Sequence, residues 1–243
     1  MKKRLLVMLL ILTLLIPSAG AETAEQDGLL LYLSFDEGQG IAVQDASGHL
    51  EDADIQYQYL APAYTDPMEP QWRDIGVEGG SLLFDGASTY VAYNPDEICI
   101  SGSQLTISVW VAPRAFEWDD PNAAANGNAH VTTMIGQYYK PEYQGILLGY
   151  QRFGRLCFEV GTGEDWFTLW TDKARLARNE WNHVAAVFDG DEGSMTIYLN
   201  GEKAAYTPVF PDSVIEPAVK EMLLIGKNGY GEQIAAGNYQ MFA

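Results

Sequence analysis

Within this 243-residue chain, Trp166-Phe167-Thr168-Leu169-Trp170 is the segment whose residue types and spacing most directly suggest chemistry. Read as a strand, it alternates, placing Trp166, Thr168 and Trp170 on one face and Phe167 and Leu169 on the other. An indole stacks on the apolar face of a sugar ring while nearby polar side chains bond the hydroxyls. Such companions are at hand: Tyr150 with Arg152, Arg155 with Glu159, and Trp118, Asp119 and Asp120 from the irregular stretch 114–130. Any single Trp could equally fill a core. As a group, however, Arg155 and Glu159 share the parity of Trp166 and Trp170, and a core face does not normally keep charges. The pattern therefore predicts an open face suited to carbohydrate.

Hydrolytic chemistry finds less support. A retaining glycosidase needs two carboxylates on one face, which a strand supplies from alternate residues, and no strand-like segment here has that arrangement. The densest acidic groups, Glu51-Asp52-Ala53-Asp54 and Asp189-Gly190-Asp191-Glu192, lie in turn-like sequence and read as solvated surface. His49, His130 and His183 show no spacing for a triad or a zinc site, and His183 reads as a hydrogen-bonded strand residue.

The elements that would carry these residues are strands throughout. Short runs bounded by Gly, Asp, Asn or Pro predict strands at 29–35, 81–84, 89–93, 105–111, 131–138, 145–151, 155–160, 166–171, 182–188, 194–199 and 222–225. Leu105-Thr106-Ile107-Ser108-Val109-Trp110-Val111 alternates cleanly, with Trp110 among the polar set. Asn200-Gly201, between 194–199 and 202–206, predicts a tight hairpin turn. The stretches 57–80 and 114–130 read as long loops. Such a pattern is all-β.

At the start, Lys2, Lys3 and Arg4 precede an apolar run from Leu5 to Ile16, then Pro17 and Ala19-Gly20-Ala21. That order predicts a secretory signal peptide over 1–21, cut after Ala21, with one domain over 22–243. The apolar run is shorter than the roughly 20 residues a membrane span needs. The expected product is secreted. Losing three basic residues takes the formal charge from −19 to −22, which argues against nucleic acid and for a soluble monomer. Export permits a disulfide between Cys99 and Cys157, but spacing alone does not place the pair, and each also reads as a small buried hydrophobe.

Several segments in this order resemble the laminin-G-like group of the concanavalin A-like lectin/glucanase fold. They are Leu33-Ser34-Phe35-Asp36-Glu37-Gly38, Asp45-Ala46-Ser47-Gly48, Gly80-Ser81-Leu82-Leu83-Phe84-Asp85-Gly86, Leu105 to Val111, Trp181-Asn182-His183-Val184-Ala185, Tyr198-Leu199-Asn200-Gly201 and Leu224-Ile225-Gly226. The resemblance implies a two-sheet antiparallel jelly-roll sandwich with one concave face. It also implies a closing strand that this sequence lacks, so the domain reads as truncated and a C-terminal catalytic domain is expected beyond it. A structural calcium ion is implied near Asp36 and the turn of Asp85 and Ser88. The segment from Trp110 through Trp118 to Arg152 resembles modules placed ahead of glycoside hydrolase family 32 domains, which act on fructans.

That hydrolase family carries Asn-Asp-Pro-Asn, Arg-Asp-Pro and Glu-Cys motifs in order. The look-alikes here, Asp119-Asp120-Pro121-Asn122, Trp72-Arg73-Asp74 and Glu97-Ile98-Cys99, are imperfect and out of order, and a five-bladed propeller needs about twenty strands. The expected role is a non-catalytic carbohydrate-binding module of a secreted glycoside hydrolase, with a protein-binding adhesive module as the alternative and an enzyme in its own right as a third reading.

Overall fold

The computed structural model describes residues 28–57, 69–84, 89–114, 116 and 131–229. Their strands are β1 Ala42–Val43, β2 Ala53–Gln56, β3 Gln71–Arg73, β4 Ser81–Leu83, β5 Tyr90–Tyr93, β6 Gln104–Val111 and β7 Thr132–Tyr139. They continue with β8 Gln144–Tyr150, β9 Leu156–Thr162, β10 Trp166–Trp170, β11 Asn182–Asp189, β12 Ser194–Leu199, β13 Glu202–Pro208 and β14 Leu223–Ile225. Among the described residues there is no α-helix, only the 3₁₀ turns Lys140–Glu142 and Arg152–Gly154, and so no helix long and apolar enough to cross a membrane.

Eight strands form one sheet in the order β1-β2-β5-β14-β7-β8-β9-β10, and four form a second in the order β13-β12-β11-β6. The pair β3-β4 stands apart as a small ribbon. Every ladder is antiparallel. The two large sheets stack as the expected sandwich. Their facing residues make one apolar core, with Ile146, Leu148, Phe158, Val160 and Leu169 from the larger sheet meeting Val184, Ala186, Phe188, Met195 and Ile197 from the smaller. Alternation explains the partition. In β11, Asn182, Val184, Ala186 and Phe188 are buried while His183, Ala185, Val187 and Asp189 are only partly covered. Each large side chain fully buried in this layer contributes about 1.5–3 kcal/mol.

The strands predicted from residue 81 onward are observed to within a residue or two, whereas β1 and β2 have no predicted counterpart, and β2 takes Ala53 and Asp54, read from the sequence as turn-like, into a ladder with β1. Residues 29–35 form no ladder, only the bridge Leu33 to Asp45. The reason lies in Asp45, whose Oδ1 accepts the Tyr32 N–H at 2.9 Å, while Phe35 turns the chain away at φ 57°. The Tyr32 carbonyl still accepts the Ala46 N–H at 2.8 Å, so backbone and side chain share the pairing and no longer ladder forms. The stretch read as a loop over 57–80 contributes β3, paired with β4. The hairpin forms as expected, with Asn200 at φ 52° and Gly201 at φ 82° between Leu199 and Glu202. Cys99 and Cys157 are both free thiols, and Cys157 is fully buried.

Candidate functional site

Opposite the core, the eight-stranded sheet turns its second face away from the four-stranded sheet, and cross-strand register decides what gathers there. Trp166 pairs with Gly161, Thr168 with Glu159 and Trp170 with Cys157. One strand further, Gly161 lies beside Gly145, Glu159 beside Leu147 and Cys157 beside Gly149. Phe167 and Leu169 point into the main core, whereas Trp166 and Trp170 pack on a separate apolar cluster of Val131, Tyr138, Leu147 and Cys157. Both indoles are half-buried and Thr168 is exposed. The alternation read from the sequence is therefore realised, and neither indole is sealed between the sheets.

Glycine makes room for the first indole. A Cβ built on Gly161 would stand 2.6 Å from Trp166 Cζ3 and 2.2 Å from the Tyr143 carbonyl oxygen, so any larger residue displaces the ring.

Charges complete the face. Glu159 is 6% exposed and its Oε2 lies 3.0 Å from Lys140 Nζ, while its Oε1 takes a long hydrogen bond of 3.4 Å from the Thr168 hydroxyl. Lys140, from the first 3₁₀ turn, sits 5.5 Å from the Tyr138 ring centroid and 5.8 Å from that of Trp166. The Tyr138 hydroxyl accepts the Gly229 N–H at 3.1 Å. At the other end, the Arg155 guanidinium lies 4.8 Å from the Trp170 ring and its Nε donates to the Thr171 carbonyl at 2.8 Å. Beneath them, burial and then the neighbouring Glu159 carboxylate push the Cys157 thiol well above its usual range, leaving it protonated and inert.

The structure thus brings together Trp166, Trp170, Arg155 and Glu159. It does not bring Tyr150 to them. Tyr150 is 1% exposed in the main core, edge-on to Phe116 with ring centroids 5.9 Å apart. It shares the parity of Ile146 and Leu148 and pairs with the core residue Leu156, so the sequence expectation for Tyr150 is corrected. Trp118, Asp119, Asp120, Asp85 and Ser88 lie outside the described residues, as does the side chain of Arg152. Sequence reasoning missed Tyr138 and Lys140. They sit at the end of β7 and just beyond it, two residues apart, and the parity argument applied to Trp166 would have found them.

For the calcium expectation, Asp36 is exposed and its Oδ1 already accepts the Gly80 N–H at 2.7 Å. Among the described residues no three His, Cys, Asp or Glu side chains cluster, and Asp85 and Ser88, the other expected ligands, lie outside them. His183 is hydrogen-bonded, its Nε2 lying 2.8 Å from the Ser108 hydroxyl. It stacks 5.0 Å from Trp110, which is 49% exposed on the outer face of the four-stranded sheet.

Solved structures share this architecture. Domain 4 of AbnA, an extracellular arabinanase of glycoside hydrolase family 43 from Geobacillus stearothermophilus, determined in complex with arabinotriose, is 18% identical. The match covers 88% of each chain with a TM-score of 0.55. The botulinum neurotoxin serotype G binding domain is 14% identical over 88% of this chain and 45% of its own, with a TM-score of 0.56. The botulinum neurotoxin DC binding domain, solved with SialylT, is 16% identical over 90% and 47%, with a TM-score of 0.51. The chain therefore spans about half the length of those neurotoxin domains. No curated protein matches. The laminin G family model described as concanavalin A-like lectin/glucanases superfamily matches residues 85–243, and with the two stacked antiparallel sheets this shows that the chain belongs to that superfamily.

Proposed function

We propose that this chain is a non-catalytic carbohydrate-binding module whose site is the outer face of the eight-stranded sheet around Trp166. The observation that carries the reading is two half-buried indoles on a sheet face that also holds Lys140, Arg155 and Glu159. Ring stacking supplies most of the contact area, and the charged groups bond hydroxyls. Support comes from the similarly folded arabinanase domain, which was solved holding arabinotriose. The carboxylate beside the indoles, Glu159, is already paired with Lys140, whereas glycoside hydrolysis uses two carboxylates.

The finer reading is a secreted module that keeps a glycoside hydrolase, of the fructan-active family 32 type, on its polymer, with calcium as a structural ion near Asp36. Differential scanning calorimetry in calcium and in EDTA tests the ion, and equal melting temperatures would dismiss it.

Isothermal titration against arabinan, levan and inulin oligosaccharides tests the role. Trp166→Ala is expected to weaken binding about tenfold, the equivalent of one lost aromatic stack, with an unchanged melting temperature within a few degrees. If no glycan binds while a protein partner does, the adhesive reading takes its place.

A further inference from the structure

The Trp170 end of the face carries a feature that neutral-sugar binding does not require. Two guanidinium groups converge there on one carbonyl oxygen, that of Thr171: Arg155 Nε donates to it at 2.8 Å and Arg175 Nη1 at 3.3 Å. The two nitrogens are therefore within 6.1 Å of each other. Arg175 Nη1 also donates to the Ala174 carbonyl at 3.1 Å. Thr171 is held firmly for this task, since its hydroxyl accepts the Leu156 N–H at 3.0 Å and donates to the Ala174 carbonyl at 2.8 Å.

Neither arginine has a carboxylate within 4.0 Å among the described residues. The same is true of every described basic residue except Lys140, so what sets this pair apart is that both guanidinium groups converge on one carbonyl oxygen. The neighbouring cation on the same face, Lys140, is paired with Glu159. Five of the chain's basic residues, Arg152, Arg155, Lys173, Arg175 and Arg178, also fall within the segment 152–178. Like charges at this separation repel. Each guanidinium presents five N–H donors in a planar fork suited to carboxylate or sulfate oxygens, and the bonds to backbone carbonyls leave most of them free. Trp170, with Arg155 4.8 Å from its ring, serves here to hold that fork in place.

We propose that Arg155 and Arg175 read an anionic substituent on the bound glycan, the carboxylate of a uronic acid or a sulfate ester, while Trp166 supplies the stacking surface. This rests on the carbohydrate-binding reading. Four steps of extended strand lead from Trp166 to Trp170, about 13 Å, so the two functions fall on different sugars of one short oligosaccharide. The anion is read locally, since screening over about 8 Å at physiological salt isolates it from the acidic remainder of the chain.

The test is isothermal titration of the full chain with trigalacturonate, its methyl ester and a sulfated trisaccharide in 0.15 M NaCl. The free acid or the sulfated sugar is expected to bind at least fivefold tighter than the ester. Arg175→Gln, at an exposed position, should bring that ratio towards one while ester binding persists, and Arg155→Lys, which keeps charge but loses the fork, should lower the ratio as well. Dependence on the arginines for the sulfated sugar alone assigns the anion as a sulfate ester. Ester bound as tightly as acid, or a preference that survives Arg175→Gln, overturns the anion reading and leaves the sugar site standing. No binding of any of the three, with Trp166→Ala no different from the parent, sinks both.

Discussion

Asp45 shows how much one carboxylate organises in this molecule. Burial, the largest single influence, raises its pKa, but hydrogen bonds from the Ser47 hydroxyl and from the N–H groups of Tyr32, Ser47 and Leu50 outweigh it together and hold the value at about 2. The donors lie 2.6–2.9 Å away. Because the folded pKa is depressed from 3.8, the stabilisation is present in full above about pH 4 and is lost as the pH falls through 2. Asp45→Ala orphans several N–H donors and should cost about 2–3 kcal/mol, read as a lower urea midpoint at pH 7. The difference from the parent should shrink on titration to pH 2; a constant gap would show that charge plays no part. The donors from Ser47, His49 and Leu50 lie within five residues of Asp45 and belong to the legible Asp45-Ala46-Ser47-Gly48 segment, whereas the Tyr32 N–H comes from thirteen residues away and depends on the tertiary fold.

At the scale of elements, parity was the legible quantity. It correctly separated Trp166, Thr168 and Trp170 from Phe167 and Leu169, since a strand buried on one side leaves little choice of face. Tyr150 is the place where it is not applied: grouping Tyr150 with Arg152 as a companion of the indoles passes over its own strand, which alternates through Ile146 and Leu148 into the core. Residues 29–35 look like a strand because they are apolar, but they pair only through one bridge, with the Tyr32 N–H going to the Asp45 side chain and its carbonyl to the Ala46 N–H, a preference that no local pattern encodes. Arg175, in the segment after β10, follows no periodicity at all. Turn chemistry was read more securely. Asn200 and Gly201 hold positive φ, and Asn200 Oδ1 also accepts the His183 N–H at 2.8 Å. Gly201→Ala should therefore destabilise the domain by about 1 kcal/mol, lowering the melting temperature by roughly 2–4 °C. An unchanged melting temperature would mean the hairpin turn relaxes without cost.

The whole molecule carries a formal charge of −19, and among the described residues the Lys140–Glu159 contact is the ion pair within 4.0 Å. Most of the charge is therefore unneutralised self-repulsion, which opposes the compact state. Raising sodium chloride from about 10 mM to about 150 mM shortens the screening length from roughly 30 Å to roughly 8 Å and should raise the melting temperature. A fall would indicate that local attractions outweigh the overall repulsion.

One thiol converts the architecture into a clock. Cys157 lies beside Trp170 with no exposed surface, so a bulky aromatic disulfide reagent reaches its sulfur only when the side chains packed over it, Trp170 among them, move aside. Cys99, less covered, reacts first and supplies the internal standard. The slow phase then times the breathing of this sheet edge, and an oligosaccharide lying across both strands should lengthen it.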